Sequence, residues 1–456
     1  MPMIRHAAAT LALAAPMAFA IFAPPATAAA IKLDAELGQS VLPTEKAGLV
    51  YLRLSLKSLA AASRDRRTPV NVAIVIDRSG SMNGPRIAAA KEGARVALDR
   101  LSSNDTLALV AYNHDVDVLS PAAPLGTSQA RLKRSINGLR SGGTTALYAG
   151  VKEGGRQIET FLSDNNVNRV VLLSDGLANV GPSSPSDLAR LGRKLASKGI
   201  SVSTIGLGLD YNEDLMQRLA AASDGNHVFV ERPTDLAEVF DREFGDALSV
   251  SARDITITIE CKVGFKPTRI LGRDGEIDGN RIKVKLNQLQ AENERYVVVE
   301  LEAPENHSEG DADIAEVKVE YLDLDKDGAP ARVDARPRVQ FSANETAVND
   351  SLNKTVMSQV TEQIATEQSE VAVKLRDKGD IAGARNLLNE NAAYIKRSYE
   401  QYGSGVLAAP AAAIDTLNSL EKKNREAAQR LDADNWARTR KSMRHDQHKS
   451  KVQQSY

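Results

Sequence analysis

Oxygen-bearing side chains follow two apolar segments of this 456-residue chain, and another group follows a double glycine between them. Carboxylate and hydroxyl oxygens suit Mg²⁺, which takes about six oxygens in octahedral geometry and retains several of its waters. The pattern therefore predicts a site for a hard divalent cation, assembled from separate loops. The candidate ligands are Asp77, Ser79, Ser81, Asp175 and one of the adjacent threonines, Thr144 or Thr145.

Any one of these segments alone is weak evidence for a metal. A strand that ends in Asp-x-Ser-x-Ser is often only a turn and a helix N-cap, in which the side chains accept hydrogen bonds from free amides. The three segments, 77–81, 142–145 and 170–176, occur in this order and each ends or follows a predicted strand, and this combination favours the metal site. On the residues alone, the adjacent Thr144 and Thr145 are both candidates for the glycine loop.

Strands and helices alternate along residues 71–249, and this region must position the candidate ligands. Apolar residues at helical spacing predict helices, and short continuous apolar runs predict buried strands. The alternation is typical of a doubly wound, Rossmann-like α/β sheet, in which ligands bind beyond the carboxyl ends of the strands. An antiparallel edge strand is predicted at 116–119. The predicted helices span 85–101, 128–139, 146–162, 187–198 and 234–248.

The three segments together resemble the metal-ion-dependent adhesion site of von Willebrand factor type A (VWA) domains, and the similarity is specific across the α/β region. It implies that Mg²⁺, or Mn²⁺ or Ca²⁺ in its place, is bound directly by Ser79, Ser81 and a threonine. Matching the double glycine to the family favours Thr144 as that threonine. By the same resemblance, Asp77 and Asp175 act directly or through water.

Mostly neutral ligands leave such an ion with positive charge and an open position. The resemblance therefore implies a module that captures a carboxylate of a protein or peptide partner, and not an enzyme. A hydrolase that uses the same ion is the alternative, although no histidine or second carboxylate cluster accompanies these loops to act as a general base. A third hypothesis is a structural envelope protein that acts through its C-terminal helices and basic tail.

Alternating apolar and polar residues on both sides of the α/β region predict further strands. Because an isolated hairpin is marginally stable, the early and late strands are expected to form one β-sandwich in which the α/β domain is inserted. This arrangement resembles secreted bacterial proteins related to inter-alpha-trypsin inhibitor heavy chains, also labelled homologues of calcium-activated chloride channel proteins. A helical pattern follows from residue 344. The predicted domains are a signal peptide (1–28), N-terminal sandwich strands (29–70), the VWA domain (71–249), the remaining β-sandwich (250–343), an α-helical hairpin (344–402), and a linker, helix and basic tail (403–456).

The N-terminus has the composition of an export signal. Arg5 precedes the apolar segment 7–22, and a small-residue cleavage site ends at Ala28, with Ala20 as the competing site and a retained anchor as a further alternative. Cys261 is the only cysteine, so a disulfide framework is excluded and a Gram-negative periplasmic or secreted location is expected. After signal cleavage, no apolar stretch approaches the roughly 20 residues that span a bilayer.

The charge of the chain is nearly balanced, at −1 formally, which gives no electrostatic reason to expect nucleic acid as a partner. Basic residues are nevertheless concentrated near the C-terminus, from Arg438 to Lys451. We interpret this end as solvated and partly disordered, with contact to an anionic envelope surface as the alternative.

Two further motifs are interpreted as turns. The segment 323–328 places aspartate at every second position and imitates the start of an EF-hand loop, but Pro330 and the flanking strands favour a hairpin turn. The Gly-x-Gly at 206–208 lacks the third glycine of a dinucleotide-binding fingerprint, so we interpret it as a plain strand-end turn.

Overall fold

The computed structural model describes residues 31–45, 48–59, 68–305, 307–405 and 408–453. The predicted signal peptide, residues 1–28, lies outside them. Among the helices of these described segments, none is both long and apolar enough to cross a membrane.

The described chain opens with three strands that pair with segments far along the sequence. In the third of them, Leu52 and Leu54 are completely buried, as the alternation of apolar and polar residues requires. The strands are β1 (Ile31–Leu37), β2 (Val41–Pro43) and β3 (Leu49–Ser58).

The α/β domain is a six-stranded sheet with helices on both faces. Its strands are β4 (Val70–Asp77), β5 (Thr106–Tyr112), β6 (Val116–Pro124), β7 (Val167–Ser174), β8 (Ile200–Leu207) and β9 (His227–Val230). Its helices are α1 (Pro85–Arg100), α2 (Leu125–Gly138), α3 (Leu147–Glu159), α4 (Pro185–Ala196), α5 (Glu213–Ala222) and α6 (Leu236–Leu248).

The strand order β6-β5-β4-β7-β8-β9 confirms the doubly wound topology, and β6 is the predicted antiparallel edge. The central strands are continuous apolar runs because helices cover both of their faces, α1, α2 and α6 on one side and α3, α4 and α5 on the other. The chain passes from one half of the sheet to the other between β4 and β7. The loops after these two neighbouring strands therefore open at the same point, where ligands bind in such sheets.

The chain then returns to antiparallel β structure. The strands are β10 (Val250–Cys261), β11 (Lys266–Leu271), β12 (Glu276–Asp278), β13 (Arg281–Gln290), β14 (Glu294–Glu302), β15 (Gly310–Asp313), β16 (Ala315–Asp323), β17 (Ala329–Ala335) and β18 (Arg338–Ser342).

These strands combine with the first three in the sheets β1-β3-β14-β11, β12-β13-β10-β16-β17 and β15-β18-β2. Apolar side chains of the two larger sheets, such as Leu52 and Ile257, share one core. Since β3 pairs with β14, the α/β domain is an insertion between β3 and β10. The segment 323–328 is a tight turn between β16 and β17, as interpreted from the sequence, and in it Asp325 N donates to Asp323 Oδ1.

Helices complete the described chain. They are α7 (Glu345–Asp350), α8 (Lys354–Asp377), α9 (Ile381–Tyr402), α10 (Ala411–Gln429) and α11 (Ala433–Val452). The helix expected at 411–440 is thus two helices, because the Asp432 side chain caps a new one by accepting a hydrogen bond from Asn435 N.

The expectation of a solvated basic end is also wrong. α11 packs against α5, β9 and α8, and Lys441 in its middle is only 3% exposed. Lys441 Nζ donates to Glu213 and to Tyr211 O, and Arg440 pairs with Asp214 at 2.6 Å. These basic side chains are engaged within the protein, because the start of α5 supplies acidic partners that are distant in sequence.

Candidate metal centre

Asp77 ends the central strand β4 with its side chain completely buried. Ser79 N donates to Asp77 Oδ1 at 2.8 Å, and Ser174 Oγ, at the end of β7, donates to Asp77 Oδ2 at 2.7 Å. Burial raises the pKa of Asp77, although the hydrogen bonds from Ser174 and Ser79 oppose the rise. A cation beside this carboxylate would stabilise its ionised form, which burial disfavours.

Ser79 directly precedes a short turn of 3-10 helix, Gly80–Met82, and Ser81 lies within it. Ser79 Oγ and Ser81 Oγ are 3.0 Å apart, and Ser81 Oγ donates to Asp175 Oδ1 at 2.7 Å. Asp175 is fully buried and directly follows β7, while Asp77 is the last residue of the neighbouring strand β4. The structure therefore brings together Asp77, Ser79, Ser81 and Asp175.

The threonine beside these residues is Thr145, and the sequence-based choice of Thr144 is corrected. Thr144 is exposed, whereas Thr145 is 4% exposed. A Cβ atom built on Gly176 would lie 3.2 Å from Ser81 Oγ and 3.3 Å from Thr145 Oγ1. The same atom would lie 3.8 Å from Ser79 Oγ. The three hydroxyls thus surround one point.

Backbone contacts of the glycine loop explain which threonine turns inwards. Gly143 has a φ of +87°, a conformation that glycine adopts without strain. Thr145 N donates to Asn179 Oδ1 at 2.8 Å, and Ala146 N donates to Asn113 O at 2.7 Å. These two anchors fix the loop immediately before α3 and direct the second threonine towards the strand ends.

We call the side-chain hydroxyls of Ser79, Ser81 and Thr145 the hydroxyl cradle. Together with the two buried carboxylates, it offers the kind of oxygen donors that Mg²⁺ accepts, and Gly176 leaves its centre free of a side chain. The residues present therefore fit a divalent cation. In the described part of the chain, no group of three or more histidine, cysteine, aspartate or glutamate side chains is arranged to hold a metal.

Sequence reasoning missed Arg86, at the start of α1. Its Nη1 donates to Asp175 Oδ2 at 2.6 Å, and its Nη2 donates to Asp210 Oδ2 at 3.0 Å. The Gly-x-Gly turn after β8 makes room for it, because a Cβ on Gly208 would lie 3.0 Å from Arg86 Nη2. We interpreted this turn only as the end of a strand, but it packs against the guanidinium of Arg86, which pairs with Asp175 of the metal site.

A histidine also lies beside the glycine loop, contrary to the sequence-based expectation. His114 is in the turn between β5 and β6, and a Cβ on Gly143 would lie 2.5 Å from its Nδ1. His114 Nε2 is 3.1 Å from Asp115 Oδ2, and both side chains are largely exposed. Its neighbour in the sequence, Asn113, donates from Nδ2 to Gly142 O at 2.7 Å, which ties this turn to the loop.

The profile of the von Willebrand factor type A domain family matches residues 71–242. This region is a VWA domain. Among solved structures, a VWA protein from Catenulispora acidiphila is similar with a TM-score of 0.65 at 17% identity, covering 86% of this chain and 96% of that one. The ArnB paralog VWA2 from Sulfolobus acidocaldarius has a TM-score of 0.62 at 17% identity, covering 92% of this chain and 98% of that one. At these identities the likeness shows the fold.

Three relatives in sequence each match less than half of this chain. The uncharacterized protein sll0103 of Synechocystis is 28% identical over 44% of this chain and 47% of its own length. The uncharacterized protein YfbK of Escherichia coli is 28% identical over 45% of this chain and 36% of its own length. Human inter-alpha-trypsin inhibitor heavy chain H4 is 30% identical over 34% of this chain and 18% of its own length. The chain thus covers less than half of each of these relatives.

Proposed function

We propose that this protein is a metal-ion-dependent protein-binding module of the cell envelope, used for adhesion or scaffolding. A divalent cation in the hydroxyl cradle captures an acidic group of a protein or peptide partner. The observation that carries this proposal is the convergence of three hydroxyls from two loops on one point, with two buried carboxylates at the ends of the neighbouring strands β4 and β7. VWA domains are typically metal-dependent protein-interaction modules, and residues 71–242 are such a domain.

Each residue of the site has a separate task. Ser79 and Thr145, both buried, and Ser81, which is exposed, would each supply a hydroxyl oxygen to the ion. Asp77 and Asp175 stabilise its charge directly or through water. Mg²⁺ bound there supplies a positive charge and a coordination position that a carboxylate of the partner can take; Mn²⁺ and Ca²⁺ are the substitutes that the same oxygen donors accept.

Arg86 gives the site its preference for an anionic partner. It neutralises one of two carboxylates, because its guanidinium is paired with Asp175. A divalent ion and Arg86 together exceed the charge of the two buried carboxylates, Asp77 and Asp175, by one. Asp210, which also pairs with Arg86, is 68% exposed, so solvent screens its charge. An acidic side chain is then attracted, and at a partly exposed site this attraction weakens as salt is added.

We favour a binding protein over an enzyme. The alternative of a metal-dependent hydrolase has one structural feature in its favour, the pair His114 and Asp115 beside the glycine loop. It predicts metal-dependent turnover of a phosphate ester or a peptide that is lost in His114→Ala. Binding without turnover in the wild type supports the binding module.

We also propose an exported protein, periplasmic or secreted. This rests on the N-terminal sequence, which has a basic residue, an apolar segment and a small-residue cleavage site before residue 29. Fractionation of cells that produce the full chain tests it: recovery in the periplasm or medium with residues 1–28 removed is expected, and recovery of the uncleaved chain in the cytoplasm contradicts it.

The adjacent threonines offer a matched test of the binding function. Thr145→Val removes one hydroxyl of the cradle with little change in shape, and Thr144→Val makes the same change on the exposed neighbour. In pull-downs from envelope extract we expect a partner to be retained by the wild type and by Thr144→Val in Mg²⁺, but not in EDTA. Thr145→Val is expected to retain none. Capture by Thr145→Val at the wild-type level, in EDTA as in Mg²⁺, rules the proposal out.

A further inference from the structure

A cleft of about 850 Å³ lies where the VWA domain, the β sheets and the C-terminal helices meet. Its walls come from α4 and α5, from the turn 272–276, from β13, and from α8 and α11. None of the metal-site residues described above lines it. Small-molecule sites commonly occupy clefts of about 300–1,000 Å³ at domain interfaces, so the volume and the position fit a ligand of that size.

The charged residues that line the cleft comprise eight lysine and arginine side chains and five aspartate and glutamate side chains. Some of these side chains neutralise one another in ion pairs: Arg444 lies 3.1 Å from Asp214, and Lys451 lies 2.6 Å from Glu370. Among the described residues, five further cations of the cleft have no acidic partner within 4 Å. They are Arg193, Arg218, Lys283, Lys285 and Lys374.

A nearly buried arginine of the cleft is also incompletely paired. Arg295 donates to both oxygens of Asp224 at 2.7 Å, so the closest approach of Arg273 to that carboxylate is 3.9 Å. Arg273 otherwise donates to neutral oxygens, the carbonyl of Lys451 at 2.9 Å and Gln453 Oε1 at 3.2 Å. Its side chain is 9% exposed, and burial together with the charge of Arg295 lowers its pKa to about 10.

A buried cation is costly unless an anion compensates it. Two arginines share one carboxylate here, so the wall of the cleft carries an excess positive charge. The acids that remain at the cleft, Asp274 and Glu276, are outnumbered by the unpaired cations on the same walls. An anion with more than one negative charge would therefore complement the charge of this cleft.

We propose that this cleft binds a small molecule that carries several oxyanion groups, either phosphate or sulfate. Arg273 pairs with one group at the wall, and Lys283 and Lys285 on the exposed face of β13 pair with another. Arg218 of α5, in the VWA domain, and Lys374 of α8, in the C-terminal helices, line the cleft on its other sides and add positive charge for the same ligand. The ligand thus joins the VWA domain to the rest of the chain, independently of the metal site.

Isothermal titration with inorganic tripolyphosphate and with sucrose octasulfate, in metal-free buffer, tests this proposal. The test variant is Lys283→Gln/Lys285→Gln, two exposed strand positions whose side chains make no ion pair within 4 Å among the described residues. The control is Lys32→Gln/Lys57→Gln, which removes the same charge from exposed positions of β1 and β3 and, within the described segments, breaks only an exposed ion pair between Lys32 and Asp34. Melting temperatures without probe check that both double variants are folded.

The wild type and the control are expected to bind at least one probe, with affinity at least about tenfold weaker in the cleft variant. The probe also raises the melting temperature of the wild type. Binding of tripolyphosphate alone assigns the cleft to phosphate compounds, and binding of the octasulfate alone assigns it to sulfated sugars. The proposal is overturned if neither probe binds the wild type more tightly than about 1 mM, or if cleft variant and control bind equally well.

Discussion

Arg86 donates to one oxygen of Asp175 at 2.6 Å while Ser81 donates to the other at 2.7 Å. The buried carboxylate is therefore shared between a fixed cation and the hydroxyl cradle. Arg86 is itself held by Asp210, on the loop that follows β8. The charge that a divalent ion meets at this site is thus set by a residue of α1 that is not one of its ligands.

Replacement of Arg86 by Gln is expected to change two affinities in opposite directions. Metal binding becomes tighter, by about three- to tenfold, because Asp175 regains its full negative charge. Capture of a carboxylate by the bound ion becomes weaker, because the loaded site loses its excess positive charge. Titration of Mn²⁺ in the presence and absence of acetate measures both effects.

Arg95→Gln is the control for this change, since Arg95 lies on the same helix and pairs with Glu92. It is expected to leave both affinities unchanged. If Arg86→Gln weakens the binding of Mn²⁺ as well as of acetate, Arg86 has only a structural role.

Docking of α11 depends on a buried ion pair between Lys441 and Glu213, whose side chains are 3% and 8% exposed. Lys441→Met leaves the carboxylate with less compensation and is expected to lower the free energy of unfolding by about 2–3 kcal/mol. Arg438→Met, which removes an exposed pair with Glu231 on the same helix, is expected to cost less than about 1 kcal/mol.

Fluorescence of Trp436 during urea unfolding reports on this docking, because it is the only tryptophan and lies on α11. Its indole Nε1 donates to Asp377 Oδ1 of α8 at 3.2 Å, so release of the helix changes its surroundings. Equal destabilisation by the two substitutions, Lys441→Met and Arg438→Met, refutes a specific contribution of the buried pair.

Acid is expected to release the same helix. His445 Nδ1 donates to His227 O at 2.9 Å, and His448 Nε2 donates to Gly225 O at 3.0 Å. Burial lowers the pKa of His448 to about 4 and also lowers the pKa values of His227 and His445. Lys441 opposes the protonation of His227.

The lowered pKa values of these histidines determine how the stability changes with pH. Unfolded histidine has a pKa of about 6.5, so between that pH and about 4 the unfolded state binds more protons than the folded one. The stability contributed by the neutral histidines is present above pH 6.5 and is lost as the pH falls towards 4. Asp224 favours the charged form of His448, and Lys451 opposes it. Asp446 favours the charged form of His445, and Lys449 and Lys423 oppose it.

Hydrogen exchange of residues 433–452 at pH 7.5 and pH 5 measures this effect. After correction for the intrinsic pH dependence of amide exchange, smaller protection factors at pH 5 than at pH 7.5 are expected in the wild type. The decrease is expected to be smaller in His448→Gln, whose amide still donates to Gly225 O. An identical acid response in both proteins shows that His448 does not contribute.

Patterns within short segments were sufficient to predict the VWA fold. The apolar runs before Asp77 and Asp175 are buried strands, and parallel strands of such a sheet open at one edge, so the two carboxylates meet. The threonine was predicted incorrectly, because its direction depends on the path of the glycine loop and on anchors such as Asn179, which follows the other strand.

Arg86 and the docking of α11 were missed for a different reason. Their partners are distant in the sequence: Asp175 lies 89 positions from Arg86, and Glu213 lies 228 positions from Lys441. Local composition shows only a helix start and a basic segment. The partners become visible when the fold brings the elements together.

Direct titration of Mn²⁺ into EDTA-treated protein tests the central claim, that the hydroxyl cradle and its two carboxylates hold one divalent ion. We expect one equivalent to bind the wild type and Thr144→Val with equal affinity, and Thr145→Val to bind it at least about tenfold more weakly. The account is contradicted if the wild type binds no ion, or if the exposed threonine rather than the buried one proves necessary.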